Sequence, residues 1–203
     1  MIQTWVADVS PLLEKETYQY YYEKLPEFRQ VKADKIRFQE DKALSVGVWV
    51  LWEKMRDYYG LDDDTSFNLS HSGSLAMCAV EDSGDRSVKV GCDAEKIKEP
   101  NMEIANRFFC ESEYRMIQED ESLFYRFWVL KESFMKVTRL GMKLGLNTFE
   151  IGFLNGKPFL KKKPADIAGT FYFKEYECRD LNYRMAVCST SNEFAENIKM
   201  IDL

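Results

Sequence analysis

The chain holds a single histidine, His71, among 203 residues. It has no CxxC pair among its five cysteines and no run approaching the ~20 apolar residues that cross a bilayer. Each shortage excludes a class. One histidine without paired cysteines argues against a zinc cage. The missing apolar run argues against a membrane protein, and the N-terminus MIQTWVADVS lacks the basic-then-apolar order of a secretory leader. Nor is there a GxSxG elbow around a serine, so a Ser–His–Asp hydrolase is disfavoured. Positive charge is in deficit too: 28 Lys and Arg against 34 Asp and Glu leave a net charge of −6. That balance does not suit nucleic-acid binding, which needs clustered cations. The odd cysteine count, with Cys78, Cys92 and Cys188 in apolar strand-like runs beside Cys110 and Cys178, predicts reduced thiols in a cytoplasmic protein.

What remains is an ordinary core-forming composition, 45% hydrophobic and 31% charged. Residues 2–8 alternate as a strand does. Ser10-Pro11 opens a helix that should run to about Lys24 and stop at Leu25-Pro26. A second helix is expected over 39–58, ending at Gly60. Strands follow at 66–70, 74–81 and 86–95, with a turn at 82–85. Helices are expected at 102–109, 111–119 and 122–139, then strands at 148–153, 169–178 and 182–190. Asn155-Gly156 signals a hairpin turn. Residues 191–203 read as loosely structured. This order is α+β rather than regular βαβ alternation, and LAMCAV at 75–80 faintly echoes YRMAVC at 183–188.

Three groups of residues carry chemistry. Asp93 and Glu95 lie two apart at a strand end, so they share a face. Two adjacent carboxylates repel unless a cation sits between them; an exposed strand end is the alternative. Glu132 lies in FWVLKESFMK, where Phe127, Leu130, Phe134 and Val137 make the buried stripe and Trp128, Glu132 and Lys136 share an adjacent face. It is either a third carboxylate for a hard-oxygen site suited to magnesium or a surface pair with Lys136. His71 sits in SHSGS with Ser70, Ser72 and Ser74, as a phosphate contact or a structural turn residue. Lys131, Lys136, Arg139 and Lys143 form a basic cluster for phosphates, for an acidic partner, or for the helix dipole.

FNLSHSG at 67–73, VGCDAEKIKE at 90–99 and FWVLKESFMKVTRLGM at 127–142, in this order, resemble the Sfp-type phosphopantetheinyl transferases. IANRFFCESEY at 104–114 and YRMAVCS at 183–189 extend the likeness over most of the chain. The resemblance implies a pseudo-dimer of two similar α+β halves, 1–97 and 98–203, with the active site at their interface. It implies Mg2+ held by Asp93, Glu95 and Glu132, and coenzyme A contacted by His71, Ser70, Ser72 and Lys131. Lys42 is the nearest match to a nucleotide-binding arginine, with Lys32 or Arg37 as alternatives. The implied reaction moves the phosphopantetheine arm to a serine of an apo acyl or peptidyl carrier protein. Glu132 or a bound water would accept the proton, Lys136 would orient the attack, and Glu113 would lie near the reaction centre. The G-K-P segment usual before the histidine motif is missing from 58–67. Another magnesium phosphotransferase or phosphodiesterase, or a carrier-binding homologue without activity, is the alternative. A monomer is expected.

Overall fold

The structure, a computed structural model, describes residues 1–177 and 182–203. Cys178 lies outside the described residues. The other four cysteines are free, and all but Cys110 are buried.

The chain begins with β1 (Ile2–Asp8). The helix expected from Ser10 is a 3-10 turn over Ser10–Leu13 followed by α1 (Lys15–Tyr22). Pro26 then starts a helix instead of only stopping one: it is the extended N-cap of α2 (Glu27–Asp34), which the sequence reading missed. Proline tolerates helix starts because the first N–H groups have no intrahelical partner. α3 (Gln39–Tyr59) ends where Gly60 takes a left-handed φ of 66°. β2 (Phe67–Ser72) and β3 (Leu75–Glu81) form a hairpin, and β4 (Val90–Lys96) follows. α4 (Met102–Phe108), α5 (Glu111–Glu119) and α6 (Leu123–Thr138) come next. β5 (Glu150–Leu154) and β6 (Lys157–Lys162) flank the turn at Asn155-Gly156, as its signal predicted. β7 (Tyr172–Tyr176) and β8 (Tyr183–Ser189) complete the second half. The tail is not loose: β9 (Lys199–Ile201) pairs in parallel with β1.

Two sheets result, ordered β2-β3-β1-β9 and β4-β8-β7, beside a β5-β6 ribbon. β4 precedes the boundary expected at residue 97, yet it pairs with β8. The last strand, β9, returns to the first sheet, so the sheets do not divide the chain at a single point.

The clusters define layers. α3 covers one face of the first sheet through Leu44, Val48, Leu51 and Trp52 on Trp5, Cys78 and Val80. α6 covers one face of the second through Phe127, Leu130 and Phe134 near Ala186 and Cys188. Between them, Val6, Met77 and Ala79 of the first sheet meet Val90, Cys92 and Val187 of the second. Period-two alternation then aims Gly91, Asp93 and Glu95 of β4 at α6. Gly91 lets α6 approach, since a Cβ there would collide with Ser133 O and Val137 N.

Candidate functional site

β4 supplies two carboxylates and α6 the third. Asp93 is 4% exposed. Its Oδ1 accepts from Ser70 Oγ at 2.8 Å and from Lys136 Nζ at 2.7 Å. Its Oδ2 is buried without a hydrogen-bond partner. Glu95 Oε2 accepts from Ser72 Oγ at 2.7 Å. Lys136 Nζ also donates to Ser70 Oγ and to Cys92 O, both at 3.0 Å.

The protonation of these groups reflects burial first and crowded negative charge second. Burial, then the charges of Asp93 and Glu95, push the Glu132 carboxyl up to about 7 against the pull of Lys136. Burial likewise raises Glu95, with Asp93 adding to it and the Ser72 hydroxyl and Lys136 opposing. Burial works against the Lys136 ammonium, but Asp93 beside it more than offsets this and holds it above its usual range. Three carboxyl groups thus feel one another around a single ammonium. No three His, Cys, Asp or Glu side chains among the described residues stand drawn together as a ligand set. Asp93 and Glu95 are instead held by Lys136 and the two serines. The unpartnered Asp93 Oδ2 and the mutual repulsion are what a hard divalent cation would relieve, and oxygen donors suit magnesium.

A cavity of about 230 Å³ lies on the α3 side of β2 and is lined by Arg29, Lys32, Asp41, Ser45, Leu69 and His71. His71 is a strand residue rather than a turn residue. Burial pushes its pKa below the ordinary value, and Lys136 and Lys32 push the same way. Arg29 is buried, donates to Ser45 O at 2.7 Å and keeps a buried Nε without a partner. Lys32, one of the alternatives to Lys42, lines this cavity. Lys42 does not; it is half-buried one position beyond Asp41 on α3. Arg29 went unnoticed because α2 itself did. The signal was its i,i+3 spacing from Lys32, which puts both on one helix face.

Ser70 and Ser72 face the carboxylates, while His71 faces the opposite side of β2. Lys131 and Glu113 do not join them. Lys131 is 0% and Glu113 1% exposed. Lys131 Nζ bonds both Glu113 oxygens at 2.7 Å and Phe149 O at 2.8 Å. Glu113 also accepts from Cys110 N and Ile151 N. The pair ties α5 and β5 to α6 inside the second core, so an accessible phosphate contact for Lys131 is corrected. The basic cluster dissolves as well. Lys131 is buried and Lys136 is held at Asp93, while Arg139, which donates to Phe67 O at 2.8 Å, and Lys143 stay exposed.

Residues 89–188 match the family model of the 4′-phosphopantetheinyl transferase superfamily. Through this stretch the chain is similar to that superfamily. The matched residues run from the start of β4 into β8, so they hold Asp93, Glu95, Glu132 and Lys136 but not His71. The chain is 36% identical over 143 residues to the 4′-phosphopantetheinyl transferase Sfp of Bacillus subtilis (strain 168), covering 68% of this chain and 61% of that protein. A second 4′-phosphopantetheinyl transferase from Bacillus subtilis is 33% identical over 142 residues, covering 68% and 60%. The match therefore spans about three fifths of the length of these curated relatives. A crystal structure of Thermotoga maritima holo-[acyl-carrier-protein] synthase gives a TM-score of 0.43 at 22% identity, covering 50% of this chain and 61% of that one. No helix among the described residues is long and apolar enough to cross a membrane.

Proposed function

We propose that this chain transfers the 4′-phosphopantetheine arm of coenzyme A to a serine hydroxyl of an apo acyl or peptidyl carrier protein, releasing 3′,5′-ADP, with Mg2+ as cofactor. The observation that carries the reading is Asp93 Oδ2, buried and unpartnered, with Lys136 on the other oxygen and the charges of Asp93 and Glu95 felt at Glu132. Asp93, Glu95 and Glu132 would hold the ion. When bound, Mg2+ supplies the positive charge that screens the pyrophosphate.

This chain's side chains supply the rest. Arg29, Lys32 and His71 would receive the phosphate of the nucleotide end in their cavity. His71, held below its ordinary pKa, would act there as a neutral hydrogen-bond donor. Lys136 would carry an ammonium to the reacting phosphate from its anchor on Asp93. The serine oxygen bonds the phosphorus that bears the arm, and the bond from that phosphorus to the bridging oxygen breaks, so 3′,5′-ADP leaves. Glu132 is the favoured acceptor of the hydroxyl proton. A carboxylate that holds an ion through one oxygen keeps the other for that proton. Glu113 and Lys131 have no part in this chemistry; they hold the helix that carries Glu132.

The two layers, each a sheet with one long helix outside, support reading the chain as a pseudo-dimer with its site between halves. Four free thiols support a reducing compartment such as the cytoplasm, and we read the working form as a monomer. The test is mass spectrometry after incubation with coenzyme A, Mg2+ and an apo carrier. A gain of one phosphopantetheine on the carrier is expected. Release of free phosphopantetheine without a carrier would make the chain a phosphodiesterase instead.

A further inference from the structure

β4 ends the second sheet, so the N–H groups along its outer edge need partners that no neighbouring strand provides. β2 provides them with side chains. Cys92 N donates to Asn68 Oδ1 at 2.9 Å, Ala94 N to Ser70 Oγ at 3.3 Å, and Lys96 N to Ser72 Oγ at 3.1 Å. The Cys92 thiol donates back to Asn68 O at 3.2 Å. Asn68, Ser70 and Ser72 are spaced two apart. They are paired across the hairpin with Ala79, Met77 and Leu75, so they lie on the inner face of the first sheet. Two of the same hydroxyls continue onto the carboxylates, Ser70 to Asp93 and Ser72 to Glu95. The intervening residues, Leu69 and His71, line the cationic cavity on the other face.

We infer that Asn68, Ser70 and Ser72 are positioning residues, a side-chain ladder that sets β2 on β4 and orients Asp93 and Glu95 for a divalent cation. This departs from the coenzyme A contact that the resemblance assigns to the two serines, and it adds Asn68, which no motif singled out. It rests on the reading of the three carboxylates as an ion site. Groups that orient metal ligands matter for a physical reason. Each hydroxyl fixes one oxygen of its carboxylate and so selects the rotamer that points the other at the ion, and losing such a partner costs on the order of 10–100-fold in metal affinity.

The experiment measures Mn2+ affinity by electron paramagnetic resonance on the full chain without substrate, together with 3′,5′-ADP affinity by calorimetry in metal-free buffer. Ser72→Ala is expected to weaken Mn2+ about tenfold or more and leave 3′,5′-ADP affinity unchanged. Ser72→Thr, which keeps the hydroxyl, should recover the Mn2+ affinity. Asn68→Asp, which keeps the acceptor for Cys92 N, should bind Mn2+ at least as well as wild type, and Asn68→Leu should not. If Ser72→Ala fails to fold, the Asn68 pair carries the comparison. Unchanged Mn2+ affinity in Ser72→Ala and Asn68→Leu overturns the inference, as does a loss confined to 3′,5′-ADP. The reading beneath it fails separately, if wild type and Asp93→Asn bind Mn2+ alike.

Discussion

Replacing Lys131 by methionine separates a core role from a phosphate-binding one. Methionine keeps most of the apolar stem but removes the ammonium. In the folded protein that ammonium makes three hydrogen bonds, two to Glu113 and one to Phe149 O. Phe149 O would retain a weak bond from Cys110 Sγ, and Glu113 would retain the N–H groups of Cys110 and Ile151. The cost is therefore dominated by the Glu113 carboxylate, 1% exposed, left without its cation. Breaking a buried pair from one side costs about 3–5 kcal/mol. Urea unfolding at neutral pH should show that loss for Lys131→Met. Adding Glu113→Gln removes the stranded charge but leaves an acceptor for only one of the two N–H donors, which bond different carboxylate oxygens; that loss is shared with the single change, so the double variant should still recover at least ~2 kcal/mol relative to the sum of the single changes. Calorimetry should find coenzyme A affinity within about twofold of wild type wherever the variant is folded. A variant as stable as wild type within about 1 kcal/mol, but with much weaker coenzyme A binding, would refute this and return Lys131 to the phosphates.

Lys32→Ala should weaken 3′,5′-ADP severalfold, with a shallower salt dependence, while Lys42→Ala should not; equal effects in calorimetry would argue against the α2 cavity. Gly91→Ala drives a methyl into the α6 backbone at Ser133 and Val137. It should cost about 1–3 kcal/mol in urea unfolding and weaken metal binding by shifting Glu132 and Lys136 off β4. The Glu132 carboxyl titrates at about 7 in the folded metal-free chain, against ~4.3 when unfolded. Between those values the folded state keeps a proton that the unfolded chain gives up, so stability in chelator should fall as pH rises across that window. Glu132→Gln should remove that slope, and parallel curves for the two proteins would contradict the assignment. Binding of a divalent ion to the wild type below about pH 7 should release that proton, and pH-stat titration reads it directly.

Strongly periodic elements were legible because local pattern and packing agree in them. β1, α3, the β2-β3 hairpin and α6 lie close to where alternation and caps put them. α2 was lost because Leu25-Pro26 reads as a stop, and proline also starts helices. β9 was lost because three residues pairing in parallel with a strand nearly two hundred positions away leave no periodic trace. The sheet membership of β4 was likewise invisible, since adjacency in sequence favours β3 while its partner is β8. In the site, Trp128, Glu132 and Lys136 were placed on the right face by spacing alone. Lys131 could have been read too, since it is four residues after Phe127 and three before Phe134, which sets it on the buried stripe. The ladder from Asn68 needed three dimensions, because it acts across elements that the sequence does not connect.

Anomalous diffraction from crystals grown with Mn2+ and 3′,5′-ADP tests the central claim most directly. A peak bounded by oxygens of Asp93, Glu95 and Glu132, with Asp93 Oδ2 turned to it, is the expected result. Mn2+ bound elsewhere, with Asp93 still held only by Lys136 and Ser70, would contradict the account.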